Sequence, residues 1–215
     1  MSDTVAAAFV TSSATKCRST LRSALWSCRR RARSRRCPSA LIAMSFRSSF
    51  RQLVERGLDP GAIFRAINRV MHDELCHTGS FLSAFYGVLD ERGPKLRYSN
   101  GGHPRPFIYS ASTGRFRVLR DAGLLIGVLP GEEYPLSEVD LTPGDVLLLY
   151  TDGITETTSP SGEPFGVKGL EDAVRRNATQ SAAEIYHSVL KEMYSFQGGG
   201  LGTDDVTMVV LKVLR

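Results

Sequence analysis

Residues 141–156 read LTPGDVLLLYTDGITE, and this stretch decides the fold that the sequence predicts. A Pro-Gly-Asp turn at residues 143–145 leads into an apolar run that ends at Tyr150, which indicates a buried β-strand over residues 145–150. Asp152 and Gly153 follow where the run ends. The sequence therefore predicts a carboxylate at the end of a buried strand, next to a residue without a side chain.

A second acidic cluster precedes the last apolar run of the chain. Thr203, Asp204 and Asp205 come just before a predicted strand over residues 206–213. Carboxylates held at strand ends are the hard oxygen ligands that Mg²⁺ and Mn²⁺ prefer, and a neighbouring glycine lets the backbone approach closely. Either cluster taken alone is more typical of a turn or a solvated loop, so neither identifies a metal site by itself.

The remaining predicted elements are short and separated by clear turn signals. Apolar residues at three- and four-residue spacing indicate amphipathic helices, and Asp59 followed by Pro60 is typical of a helix start. Strands that follow one another with only turns between them favour antiparallel pairing, so we expect an α+β fold of stacked antiparallel sheets with helices on their outer faces. The predicted helices cover residues 39–56, 59–75, 167–176 and 181–194, and the predicted strands cover residues 81–90, 95–99, 106–110, 115–119, 134–140, 145–150 and 206–213.

The composition is that of one globular domain, with 215 residues, 42% hydrophobic and 23% charged. The apolar runs are far shorter than the roughly 18 residues of a transmembrane helix, so no membrane span is expected. Cys17, Cys28, Cys37 and Cys76 show no CxxC spacing and follow no secretory signal. We therefore expect neither a disulfide framework nor a zinc ribbon, and a reducing, cytoplasmic location.

The net charge of +5 is concentrated at the N-terminus. Residues 1–37 hold nine Lys and Arg and one acid, a net charge of +8, whereas the other 178 residues hold 18 basic and 21 acidic residues, a net charge of −3. The basic segment shows neither a sustained helical nor a strand period. We therefore expect residues 1–37 to be disordered or non-native, and the folded domain to cover residues 38–215.

Histidine and cysteine residues offer two further candidates for chemistry. His103 lies in a Gly-Gly-His-Pro turn, where a structural role is more common than that of a general acid. His72, Cys76 and His77 together suggest zinc, but at the end of an amphipathic helix such residues are more typical of packing and surface positions.

Five motifs occur along the chain in a defined order. They are NGGHPRP at residues 100–106, DAGLLIGV at 121–128, LTPGDVLLLYTDGITE at 141–156, GEPFG at 162–166 and TDDVT at 203–207. In order and spacing they closely resemble the SpoIIE-type, RsbU-like branch of the PPM (type 2C) metal-dependent serine/threonine phosphatases. The resemblance covers about residues 38–215, since residues 38–50 are similar to the helix that follows the first metal motif of that family.

The resemblance implies a PPM-type α-β-β-α sandwich with two ions, Mn²⁺ or Mg²⁺, at one end of the central sheets. It implies hydrolysis of a protein phosphoserine or phosphothreonine by a metal-bridging water. By motif match, Asp152 and Asp204 would be catalytic metal ligands, and Asp204 matches the last ligand of the family better than Asp205. Gly153 and Glu156 would line the site.

The resemblance also implies a class of partner. The expected substrate is a phosphorylated regulatory protein in bacterial partner-switching signalling, such as a STAS-type anti-sigma-factor antagonist. Nucleic acid is not expected as a partner, and a homodimer is left open.

The first metal motif of the family, a strand ending in Gly-Asp-x-x-Gly-x-Gly, is missing from its expected place just before Pro38. Residues 28–37 hold six arginines and no carboxylate. Each unit positive charge about 4 Å from a metal ion would oppose its binding by on the order of 1 kcal/mol or more. We therefore expect N-terminal strands of the fold to be missing and metal binding to be weakened.

Three hypotheses explain the missing motif. The first is a shift of reading frame upstream of Pro38, because out-of-frame translation tends to give an Arg-rich, aperiodic stretch. The second is a degenerate relative that keeps the fold and binds a partner without catalysis, which makes a catalytically inactive interaction module the alternative function. The third is a separate role for residues 1–37, as an arm for nucleic acid or an acidic partner or as a transit peptide.

Overall fold

The computed structural model of the chain describes residues 6–13, 39–90, 95–198 and 206–214. The chain divides into two compact units. The first unit comprises Met1–His103 and Asp121–Val139, and the second unit comprises Pro104–Arg120 and Asp140–Arg215. In chain order the described elements are β1 (Ala6–Ser13), α1 (Ser39–Glu55), α2 (Pro60–Thr78), β2 (Phe81–Asp90), β3 (Lys95–Gly101), β4 (Phe107–Ser110), β5 (Arg115–Val118), β6 (Ser137–Asp140), β7 (Val146–Tyr150), α3 (Asp152–Thr155), α4 (Gly166–Asn177), α5 (Ala182–Gln197) and β8 (Met208–Lys212).

The two helices of the first unit, α1 and α2, lie where the sequence predicted them. The Asp59 side chain caps α2, since its Oδ1 accepts a hydrogen bond from Ala62 N at 2.8 Å, and Pro60 occupies the first turn. Gly79 ends the helix in the left-handed conformation, with φ at 64°. α2 therefore continues to Thr78, beyond the predicted end at residue 75.

The sheet of the first unit has the strand order β1-β2-β3-β6. β1 pairs antiparallel with β2 along its whole length, from Ala6 opposite Val88 to Ser13 opposite Phe81. This strand lies in the segment for which the sequence predicted no strand, and that part of the prediction is wrong. The three alanines that open β1 are weak strand formers, so the strand depends largely on its long-range pairing with β2. The rest of that segment, residues 1–5 and 14–37, lies outside the described residues.

The core of the first unit joins α2 to the loop that follows Gly123. The side chain of Asn68 is buried, and its Nδ2 donates to Leu129 O at 2.8 Å while its Oδ1 accepts from Gly127 N at 2.8 Å. The loop is also bonded to β2 in both directions between Leu82 and Ile126. The side-chain amide of Asn68 therefore satisfies two backbone groups of the loop, Gly127 N and Leu129 O, and fixes the loop on α2.

The sheet of the second unit has the strand order β5-β4-β7-β8, and all its pairs are antiparallel. β7 pairs with a strand on each side, and all five of its residues are buried. This explains the uninterrupted apolar run that predicted it. The core on this sheet is completed by apolar residues of α3, α4, α5 and both neighbouring strands, namely Phe107, Ile154, Leu170, Ala173, Val174, Ile185, Val189, Met193 and Met208.

Some details differ from the sequence predictions. Most second-unit strands are shorter than predicted, β8 for example beginning at Met208 rather than residue 206. The one-turn helix α3 was not predicted, because four residues carry no helical period. Cys76 is disulfide-bonded, whereas the sequence predicted no disulfide framework. No described helix is long and apolar enough to cross a membrane.

Candidate functional site

The candidate site begins where β7 gives way to α3 in the second unit. Thr151 is extended, with φ −90° and ψ 159°, and Asp152 starts the single helical turn. Asp152 O accepts hydrogen bonds from Glu156 N at 2.8 Å and from Thr155 Oγ1 at 3.1 Å. Gly153 is buried, and its carbonyl accepts from Thr157 Oγ1 at 2.7 Å. The backbone around Asp152 is therefore fixed by local hydrogen bonds.

The side chain of Thr151 connects this turn to the segment that precedes β8. Thr207 N donates to Thr151 Oγ1 at 2.9 Å, and Thr151 N donates to Thr207 O at 3.0 Å. Thr151 Oγ1 also lies 3.4 Å from Thr207 O. Thr151 was not predicted as a site residue; the only signal for it is its position directly before Asp152.

The other end of β7 carries a second carboxylate with a different role. Asp145 is buried, and its two carboxylate oxygens accept from Ala111 N at 3.0 Å and from Thr142 N at 2.9 Å. Its backbone also pairs with the chain just after β8, since Val213 N donates to Asp145 O at 2.9 Å. Asp145 therefore anchors the turn at residues 142–145 and is a structural residue.

The carboxylate of Asp152 is presented to solvent. The residue is exposed, and no hydrogen bond or ion pair connects its side chain to another described residue. Glu156, one helical turn later, is exposed as well. Next to them, burial raises the pKa of the Tyr150 phenol, and the charge of Glu171 raises it further, so Tyr150 remains a neutral part of the core.

The described residues alone do not fit a two-metal centre. They contain no group of three or more His, Cys, Asp or Glu side chains that could hold a metal ion. Of the four predicted metal-site residues, Asp152 and Gly153 are adjacent at the end of β7, whereas Asp204 and Asp205 lie outside the described residues. A dinuclear site needs carboxylates beyond Asp152.

The histidines considered as site candidates lie in the first unit, and their contacts are those of structural residues. His103 is buried, its N donates to Asn100 Oδ1 at 2.8 Å, and its O accepts from Asn100 Nδ2 at 3.1 Å. Its Nδ1 lies 3.4 Å from Ser83 Oγ. The contacts of His103 are those of a turn-fixing residue, and among the described residues His72, Cys76 and His77 belong to no metal-ligand group.

The sequence profile of the family described as Stage II sporulation protein E (SpoIIE) matches residues 37–214. The chain belongs to the SpoIIE family. The resemblance inferred from the five motifs is thereby confirmed.

Two relatives are phosphatases by name. The chain is 28% identical over 178 residues to phosphoserine phosphatase RsbU of Bacillus subtilis (strain 168), and 30% identical over 181 residues to phosphoserine phosphatase RsbP of the same organism. Each match covers 81% of this chain, but 51% of RsbU and 42% of RsbP. This SpoIIE-family chain therefore spans about half or less of the length of these relatives.

Solved structures support the fold of this SpoIIE-family member. The SiaA-PP2C domain of Pseudomonas aeruginosa matches with a TM-score of 0.70 and 24% identity, over 82% of this chain and 71% of that chain. The PP2C phosphatase domain of SpoIIE from Bacillus subtilis, with a fragment of its regulatory domain, matches with a TM-score of 0.72 and 17% identity, over 98% of this chain and 55% of that chain. The expected PPM-type α+β fold is confirmed.

One structural neighbour carries metal ions. The catalytic domain of the serine/threonine protein phosphatase PstP, in complex with two manganese ions, matches with a TM-score of 0.58 and 16% identity, over 99% of this chain and 100% of that chain. At this identity the likeness concerns the fold alone, so the metal content of PstP is a property of PstP.

Proposed function

We propose that this chain contains a metal-dependent protein-serine/threonine phosphatase domain that removes phosphate from a regulatory protein. The observation that carries the proposal is the family match over residues 37–214, which includes the exposed carboxylate of Asp152 at the end of β7. The names of RsbU and RsbP as phosphoserine phosphatases favour phosphoserine as the substrate group. A STAS-type anti-sigma-factor antagonist as substrate, and a cytoplasmic location, follow by family analogy.

For the site we propose a role in binding Mn²⁺ or Mg²⁺ for four residues, Asp152, Asp204, Asp205 and Gly153. Each would be a metal ligand or lie next to one. Two observations support the assignment. The Asp152 side chain is exposed on a rigid turn, and Thr207, which is bonded to Thr151, follows Asp205 by two residues. Carboxylates gathered at adjoining strand ends suit these hard cations.

A second candidate function is a catalytically inactive module that keeps the phosphatase fold and binds a regulatory protein. The sequence favours it through one observation. No Asp or Glu occurs between Asp3 and Glu55, so no carboxylate lies where the first metal ligand of the family is expected, just before Pro38. A site without that ligand would bind a metal pair weakly.

Hydrolysis assays on the purified full chain separate these two functions. We would measure turnover of p-nitrophenyl phosphate and of a phosphoserine peptide with and without Mn²⁺, for the wild type, Asp152→Asn and Glu163→Gln. Glu163 is an exposed carboxylate on the surface turn at residues 159–163 and serves as the matched control. We expect Mn²⁺-dependent turnover that falls by about 100-fold or more in Asp152→Asn and is unchanged in Glu163→Gln.

Each other outcome has a definite meaning. A folded wild-type chain without turnover contradicts the phosphatase proposal for this chain and supports the inactive module. Turnover that persists in Asp152→Asn contradicts the role given to Asp152.

We also propose that the phosphatase domain begins near residue 38, since the family match begins at residue 37. β1 lies before this boundary and pairs with β2, so the boundary has a direct test. A chain of residues 38–215 should unfold cooperatively if the proposal holds. Loss of cooperative unfolding would assign β1 to the domain, because β2 would lose one of its two neighbouring strands and become an open edge.

A further inference from the structure

The hairpin formed by β4 and β5 carries an unbalanced positive charge. Residues 104–120 contain four arginines, Arg105, Arg115, Arg117 and Arg120, and no Asp or Glu. All four side chains are exposed, whereas the chain after residue 37 as a whole is acidic. Within the described residues, no salt bridge neutralises Arg115 or Arg120.

β5 ends the sheet of the second unit, as far as the described residues extend. The strand order is β5-β4-β7-β8, so β5 has a partner on one side only. Leu119 N donates a hydrogen bond to Pro106 O at 2.9 Å. In an antiparallel ladder, hydrogen-bonded and non-hydrogen-bonded pairs alternate, so Arg117 and Ile108, the opposite residues two positions further along, also form a hydrogen-bonded pair. The intervening residues, Phe116 and Val118, therefore direct their N–H and C=O groups away from β4, towards the open edge.

The side chains of β5 alternate between two faces. Phe116 and Val118 are half-buried and pack on the core of the second unit. The ring centroid of Phe116 lies 5.2 Å from that of Phe107 and 5.2 Å from that of Tyr109. The Arg175 guanidinium covers the Phe116 ring at 5.0 Å from its centroid. Arg115 and Arg117 lie on the opposite face of the strand and are exposed.

The position of one of these arginines is fixed. Arg117 Nη2 donates to Asp140 O, the carbonyl at the end of β6, at 2.7 Å. The guanidinium of Arg117 is therefore held by a backbone carbonyl rather than left on a free side chain.

We propose that the edge of β5 is a docking site for an extended acidic segment of a partner protein, which adds to the sheet as a further strand. The backbone of such a segment pairs with the outward N–H and C=O groups of Phe116 and Val118. Carboxylates at alternate positions of the segment stand opposite Arg115 and Arg117, at the short cross-strand distance of a non-hydrogen-bonded pair. β4 lies between this edge and β7, the strand that Asp152 follows, and the docking does not require phosphatase activity.

The competing explanation is that the arginines only prevent aggregation. Charged side chains on an exposed edge strand are a common way to block unwanted strand pairing. The two explanations differ in what they predict, because a purely protective edge pairs with no added strand, whereas a docking edge binds acidic strands through their backbone.

The test is a binding measurement on the full chain with a defined probe. We would follow the fluorescence anisotropy of a labelled eight-residue peptide of alternating Glu and Val at about 50 mM and about 300 mM NaCl. Arg115→Glu/Arg117→Glu would be compared with Lys168→Glu/Lys191→Glu, a control with the same change of charge at exposed positions of α4 and α5. A peptide of alternating Lys and Val, a Glu-Val peptide with alternate amides N-methylated and a single-stranded RNA oligonucleotide complete the set.

The proposal predicts salt-sensitive binding of the Glu-Val peptide, weakened about tenfold by Arg115→Glu/Arg117→Glu and unchanged in the control. It also predicts about tenfold weaker binding of the N-methylated peptide, because methylation removes the strand hydrogen bonds. Where circular dichroism shows that the Glu variant is unfolded, Arg115→Gln/Arg117→Gln replaces it, with the same expected direction.

Several results would overturn the proposal. Equal weakening in the control would indicate a general charge effect, and equal binding of the N-methylated peptide would exclude strand addition. Tighter binding of a single-stranded RNA oligonucleotide that displaces the peptide would assign the surface to nucleic acid. Absence of peptide binding by the wild type, with aggregation of the Glu variant, would leave only the protective role.

Discussion

Thr151 and Thr207 are joined by three hydrogen bonds, although 56 residues separate them in the sequence. Thr207 N donates to Thr151 Oγ1 at 2.9 Å, Thr151 N donates to Thr207 O at 3.0 Å, and the Thr151 hydroxyl contacts the same carbonyl at 3.4 Å. The residue before Asp152 is thus tied to the residue just before β8. The threonine side chain extends the β7–β8 ladder by one further connection.

Replacing Thr151 by valine should test this connection. Valine keeps the shape of the side chain but removes the acceptor for Thr207 N, so we expect a loss of about 1–2 kcal/mol of unfolding free energy in urea. Thr158→Val, at an exposed position of the same segment, should change stability by less than about 0.5 kcal/mol. Equal effects of the two substitutions would contradict the importance of the Thr151 hydroxyl.

Gly127 should not tolerate a side chain. Its φ is +95°, and a Cβ atom would lie 2.5 Å from Leu75 Cδ1. We therefore expect Gly127→Ala to cost about 3 kcal/mol, from the left-handed backbone and from overpacking together. Gly131 has a φ of +75° but no atom within 4 Å of the Cβ position, so Gly131→Ala should cost only about 1 kcal/mol. Urea unfolding of both variants checks the difference, and equal losses would argue against the contact with Leu75.

Asn68→Ala should destabilise the first unit strongly, although the substitution removes only a few side-chain atoms. The substitution leaves Gly127 N and Leu129 O without the partners that the buried amide supplies, which should cost about 2–4 kcal/mol. Arg69→Ala, at the exposed neighbouring position of α2, is the control and should have little effect. Amide hydrogen exchange gives a second readout, because loss of protection at Gly127 N is specific to the Asn68 bridge. Unchanged protection there would contradict the bridge.

The start of α5 should show a pH-dependent contribution to stability. Ser181 and Glu184 form a capping box, and the hydrogen bonds that Ser181 donates hold the pKa of the Glu184 carboxyl below its ordinary value of 4.5. Because the pKa is lower in the folded state, the contribution is present above pH 4.5 and is lost as the pH falls through the folded-state pKa. The melting temperatures of wild type and Glu184→Gln should therefore differ at pH 7 and converge once the pH has fallen below the folded-state pKa. A gap that does not change with pH would contradict this role.

The sequence predicted elements whose signal is local. β7 was predicted because it is buried on both faces and its five residues are all apolar, and α2 was predicted because Asp59 and Pro60 mark its start. β1 was not predicted, since its strand conformation depends on pairing with β2, more than 60 residues away in the sequence.

The candidate site was predicted less completely than the fold. Asp152 and Gly153 were predicted as site residues because the Asp-Gly pair directly follows a buried strand and belongs to a family motif, and their role stays a prediction. The role of Thr151 was not predictable, because its partner Thr207 is distant in sequence. Asp145 looked like an ordinary turn residue, although it is buried and bonded to two backbone amides.

Mn²⁺ binding by the full chain tests the central proposal about Asp152 most directly, because it does not depend on turnover. The signal of free Mn²⁺ in electron paramagnetic resonance would be titrated with the wild type, Asp152→Asn and Glu163→Gln. We expect the wild type and Glu163→Gln to bind Mn²⁺ equally and Asp152→Asn to bind it at least about tenfold more weakly. Equal binding by all three proteins would contradict the assignment of Asp152 to a metal site.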